Sequence, residues 1–143
     1  MTANEPLTDA EFKARFLDTT LGSDQFHHAD HLRMAWLFVT EHGMPHALDR
    51  FSSALRQFAD AKGATSLYHA TITWAFLLLI HERQVRQPAV DWPAFAAANP
   101  DLLTWKPSIL DRLYTRDTLW SEVARRTFVM PDRLAVSGPS RTD

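Results

Sequence analysis

The chain contains no cysteine, which excludes a disulfide framework of the kind that staples small secreted domains. Its start, Met1-Thr2-Ala3-Asn4-Glu5-Pro6, lacks the positive charge and apolar run of a signal peptide, so the expected location is the cytoplasm. The longest apolar run is Trp74 to Ile80. That falls far short of the roughly 20 residues a spanning helix needs and is expected to be a core helix, with no membrane partner. No basic stripe is present, and 15 Lys and Arg against 17 Asp and Glu give a formal charge of -2. The phosphate-neutralising footprint of a nucleic-acid binder is therefore missing. Internal repeats and low-complexity segments are absent as well.

What the chain does have is core-forming material. Hydrophobic residues make up 45% of the 143 positions, with five Trp and nine Phe, far from the composition of disorder. A chain of this length fits one domain, residues 1–143, that buries roughly two thirds of its unfolded surface.

Every periodic segment follows the helical repeat and none alternates over strand length, so the expected fold is an all-α, up-down bundle of four main helices. Thr8-Asp9-Ala10-Glu11 is a capping box that opens a helix over about 9–19, with Phe12, Phe16 and Leu17 on its apolar stripe. A second helix, over about 28–42, ends at Gly43. A third starts with Pro45 at its first position and repeats Ala47, Leu48, Phe51, Ala54, Leu55 and Phe58 before Gly63. Thr65 or Ser66 caps the fourth, which runs to about Arg86 and is apolar around nearly its whole circumference, so it should be central. Phe76, Leu78 and Leu55 are expected core residues. Shorter helical pieces follow around Asp91-Trp92-Pro93, 107–114 and 118–128, wrapping one side of the bundle. Residues 131–143 have tail composition.

Seven histidines are present, and the helical wheel sorts them. At about 100° per residue, His28 and His31 fall on the face of Leu32, Ala35 and Val39. His69 aligns with Thr73, Phe76 and Ile80, opposite a weak polar stripe of Thr71 and Glu82. His27 lies off the inward face. Short connections make the second and fourth helices parallel, so their first turns share one end of the bundle. His28, His31 and His69 are thereby expected to converge there, with Tyr68 and Thr73 nearby, whereas His42, His46 and His81 belong to the opposite end.

Three imidazoles and an open position suit a divalent transition metal, zinc, iron or copper. The leading expectation is therefore a small metal-dependent enzyme acting on a small organic substrate. Its ligands would be His28, His31 and His69, with Tyr68 or Thr73 as acid or hydrogen-bond donor. Lys106, at a helix start, would anchor an anion beside Trp105, and Trp92 and Trp105 are the aromatic residues suited to line a pocket. A histidine at a helix start also serves simply to cap it or to satisfy a buried carbonyl. The alternative is thus a non-catalytic ligand-binding or protein-interaction domain. A homodimer is a candidate assembly under either reading.

The runs Phe26-His27-His28-Ala29-Asp30-His31-Leu32-Arg33-Met34-Ala35-Trp36, Tyr68-His69-Ala70-Thr71-Ile72-Thr73-Trp74 and Asn99-Pro100-Asp101-Leu102-Leu103 resemble a family of short bacterial proteins that carries no established activity. The likeness spans about Glu11 to Arg133. It implies a free-standing bacterial domain and assigns no catalytic residue, cofactor or partner.

Overall fold

A computed structural model describes residues 6–133. Helices α1 (Asp9–Leu17), α2 (His28–His42), α3 (His46–Ala61) and α4 (Ala70–Arg86) build the bundle, and the described residues contain no strand. The capping box forms: Thr8 Oγ1 accepts from the Glu11 N–H at 3.1 Å, and Glu11 Oε1 accepts from the Thr8 N–H at 3.0 Å. The first helix stops at Leu17, two residues short of the expected end, where the chain soon turns through Thr19 at φ 64. Phe12 and Phe16 are buried, but Leu17 is 48% exposed and lies off the stripe assigned to it. Gly43 and Gly63, at φ 70 and 69, take the left-handed conformation just beyond α2 and α3 that other residues resist. Pro45 precedes α3 instead of occupying its first position.

The fourth helix begins later than expected. Thr65–Leu67 form a separate 3-10 turn, tied to the end of α3 by Thr65 Oγ1 donating to Asp60 Oδ1 at 2.7 Å. Neither Thr65 nor Ser66 caps α4. His69 does, its Nδ1 accepting the Ile72 N–H at 3.1 Å.

α4 packs on α2, α3 and the C-terminal segment, while α1 lies against α2 and α3. The parallel course of α2 and α4 can be read from two contacts. The ring of His28 meets that of Phe76 at 5.2 Å, and eight residues further along each helix Trp36 Nε1 donates to Gln84 Oε1 at 3.0 Å. Phe16 sits among the rings of Phe26, Phe38, Phe51 and Phe58 at centroid distances of 5.1 to 6.2 Å, an aromatic core joining α1, α2 and α3.

Thr71, expected on a polar stripe, is fully buried. Its hydroxyl donates to the Thr127 carbonyl at 2.8 Å and accepts the Val129 N–H at 3.0 Å, pinning the C-terminal wrap to α4. That wrap consists of α5 (Trp92–Ala98), α6 (Pro100–Leu103), a 3-10 turn over Ile109–Arg112, α7 (Arg116–Leu119) and α8 (Glu122–Arg126). The helix expected over 107–114 is reduced to that 3-10 turn, capped by Ser108 Oγ accepting the Leu110 N–H. The helix expected over 118–128 is broken at Ser121, whose Oγ accepts the Ala124 N–H and restarts the helix, while Thr115 caps α7 by accepting the Thr118 N–H. Arg83 grips the Asp101 carboxylate through both terminal nitrogens, at 3.0 and 2.8 Å, and holds α6 to α4. Within the expected tail, Arg133 donates its N–H to the Leu113 carbonyl and Asp132 accepts from Thr115 and Thr118; residues 134–143 lie outside the described residues. No helix among the described residues is long and apolar enough to cross a membrane.

Phe76 and Leu55 are buried, but Leu78 is 39% exposed, so α4 is not buried on every side. Its neighbour Leu77 is fully buried. Leu77→Ala should therefore cost about 2 to 5 kcal/mol in urea denaturation, and Leu78→Ala less than about 1.5 kcal/mol. Equal losses would contradict this placement of α4.

Candidate functional site

The first turns of α2 and α4 border a cavity of about 620 Å³, a size suited to a small organic molecule. His28, His31, Tyr68, His69, Thr73 and Trp105 all line it. Convergence at one end follows from the parallel course of α2 and α4. Most of the remaining wall is apolar and includes Leu32, Phe58, Ile72 and Phe76. Leu67 and Trp120 also line the cavity yet remain 78% and 50% exposed, so they form its mouth.

The three histidines are chemically different. His69 uses both nitrogens: Nδ1 accepts the Ile72 N–H, and Nε2 donates to the Leu119 carbonyl at 2.7 Å. The proton is therefore on Nε2. His28 Nε2 donates to the Leu102 carbonyl at 3.0 Å, which leaves Nδ1 as the atom with a free lone pair. Its ring also packs on Trp105 at 4.9 Å. His31 stacks on Phe26 at 3.9 Å. Neither of its ring nitrogens has a hydrogen-bond partner among the described residues, and neither is sealed from solvent.

Burial lowers the pKa of all three. For His31 it brings the value down to about 4, assisted by His28 and His27 nearby. For His28 and His69 the carbonyl acceptors oppose the shift by favouring the protonated ring.

These bonds do not fit the expected metal set. A ligand nitrogen must offer its lone pair, and His69 offers none unless the cap of α4 is given up. Among the described residues no three His, Asp or Glu side chains are grouped to hold an ion. Thr73 Oγ1 donates to the His69 carbonyl at 2.8 Å, which commits its only proton. The Tyr68 hydroxyl is buried with no partner. Lys106 is exposed and does not line the cavity, whereas Trp105 does. Trp92 packs instead against Trp36 and Phe95. His27 precedes α2 as its N-cap residue; His42, His46 and His81 lie outside the cavity.

Two lining residues were not foreseen from sequence. Arg125 and Trp120 come from the C-terminal wrap, and only the chain's return past α4 brings them here. No protein-family model, curated protein or solved structure matches the chain.

The buried neutral imidazoles set a pH dependence. An unfolded histidine takes up a proton near pH 6.5, while folded His31 resists until about pH 4. Between these values the unfolded state binds more protons, so stability is greatest above pH 6.5 and falls with acidification through that window. The slope from His31 should reach about 1.4 kcal/mol per pH unit, with His28 and His69 adding in the same sense. Urea midpoints measured across this range should show it, and His31→Leu should flatten it; an unchanged slope in that variant would place the titration elsewhere.

Proposed function

We propose that this protein is a binding domain for a small, mostly apolar organic ligand, held in the cavity between α2 and α4. The observation that carries the proposal is His31, a neutral imidazole on an apolar wall whose nitrogens have no partner in the protein. Both nitrogens are open to the cavity, and a hydrogen bond made to a ligand beside this apolar wall is stronger than one made in water. The neutral ring offers one N–H and one lone pair, which suits a hydrogen-bonding group on the body of a largely apolar molecule. His28 adds a second lone pair at Nδ1. Trp105 and Phe76 supply flat apolar surface.

The metal-dependent enzyme is not carried forward, because His69 serves as a cap and an anchor. A proton-transfer role for His31 at neutral pH is also disfavoured, since a base with a pKa near 4 holds a proton too weakly to take one from most organic substrates.

Titration with N-phenyl-1-naphthylamine, a neutral fluorescent probe with one N–H donor, tests the proposal. Saturable binding is expected at one site per chain, with a gain in unfolding free energy of about 2.7 kcal/mol at 100 times the dissociation constant. His31→Leu should weaken binding about 5- to 20-fold, in line with the loss of one hydrogen bond. Ala35→Trp, which fills the cavity from α2, should abolish it. Absence of saturable binding by the parent protein would refute the proposal.

A further inference from the structure

A second depression of about 360 Å³ adjoins the cavity, and Tyr68 and Arg125 line both. Its other walls include Arg56, Arg126, Asp60 and Glu122. The two shared residues are also the two whose buried polar atoms lack partners at this end of the molecule: the Tyr68 hydroxyl and Arg125 Nε. Arg125 is held in place by donating through Nη2 to the Ser66 carbonyl. The guanidinium of Arg56 lies over the Tyr68 ring at 4.9 Å. Among the described residues, Arg56, Arg125 and Arg126 form no salt bridge, and Asp60 is engaged by Thr65.

Unpaired buried donors are costly, and most so when they carry charge. Both atoms are closed to solvent, so an oxyanion entering at the junction reaches them with a shift of the two side chains and then accepts from Arg125 and Tyr68 together; guanidinium is the group whose fork matches a carboxylate. Three arginines against two carboxylates leave about one unit of positive charge in the depression, which balances a monoanion and is too little for a dianion. On the other side of the same two residues lies apolar space.

We infer that the cavity's ligand is an amphipathic organic monoanion, an apolar body bearing one carboxylate, with its head group held by Arg125, Tyr68 and Arg56 where cavity and depression meet. The inference rests on the binding function proposed above and adds the chemical class of the ligand. It also separates the two ends of the site: His28 and His31 meet the ligand's body, and the arginines meet its charge.

Calorimetric titration of the full chain with decanoate, decanol and decyl phosphate, each below its micelle concentration at neutral pH, tests it. Decanoate should bind about tenfold or more tighter than decanol, as one charge-assisted head group implies. Added potassium chloride should weaken decanoate and leave decanol unchanged. Arg125→Gln should bring the two ligands level. Because Arg125 also holds Ser66, the exposed Arg56→Gln provides a second variant that does not depend on that contact, and it should reduce the preference severalfold.

Equal binding of decanol and decanoate to the parent would overturn the anionic head and leave the apolar cavity standing. Tighter binding of decyl phosphate than of decanoate would overturn the monoanion. Lys62 also lines the cavity, with its ammonium 5.4 Å from the Phe58 ring. A preference that survives both arginine variants and disappears in Lys62→Met would place the head group elsewhere and overturn the assignment. Failure of both decanoate and decanol, together with failure of the neutral naphthylamine probe, would remove the cavity as a binding site altogether.

Discussion

His69 ties together two parts of the chain that sequence separates by fifty residues. One ring nitrogen ends the backbone of α4 by accepting the Ile72 N–H, and the other holds the Leu119 carbonyl at the end of α7. Each bond is worth about 1 kcal/mol net, but leaving a buried partner unpaired costs about 1 to 3 kcal/mol, so the two bonds stand or fall as a unit. Their geometric consequence is larger. With Leu119 fixed, Trp120 meets the imidazole edge at 5.3 Å and the following helix carries Arg125 to the cavity wall. The mouth of the site is thus a by-product of how α4 is capped.

Close packing is the rule in protein interiors, and this bundle obeys it around Phe16, where rings from three helices interlock. The rule is relaxed where α2 and α4 begin. There the side chains at the start of each helix are imidazoles bonded sideways to carbonyls, Leu102 for His28 and Leu119 for His69. Both rings lean to backbone acceptors at the edge of the cavity, and apolar residues line its depth.

Much of this was legible in the sequence because it is local. The capping box at Thr8, the Gly43 stop and the inward faces of His28 and His31 need only the helical repeat and known cap chemistry. The parallel course of α2 and α4 needed only short connections. What sequence could not supply depends on side chains reaching distant backbone. Thr71 falls on a polar stripe by periodicity, yet it is buried because Thr127 and Val129 come to meet it. His69 aligns with an apolar face and has the composition of a ligand, but the carbonyl of Leu119, fifty residues on, takes its proton. Leu78 reads as core in an apolar run and is 39% exposed. Arg125 carries no local signal at all.

The electrostatics of the site point away from proton transfer and toward recognition. At neutral pH a group with a pKa near 4 is almost entirely unprotonated and gives up any proton readily, so His31 presents a fixed acceptor and a fixed donor. Its low pKa comes first from burial and then from His28 and His27 nearby. A carboxylate bound in the same cavity would favour the charged imidazole and would therefore make His31 easier to protonate. Ligand charge and histidine titration are linked, and by reciprocity the anion must bind more tightly as the solution is made more acid, for as long as its own carboxyl stays ionised. The same coupling is absent for a neutral ligand, which brings no charge to the cavity.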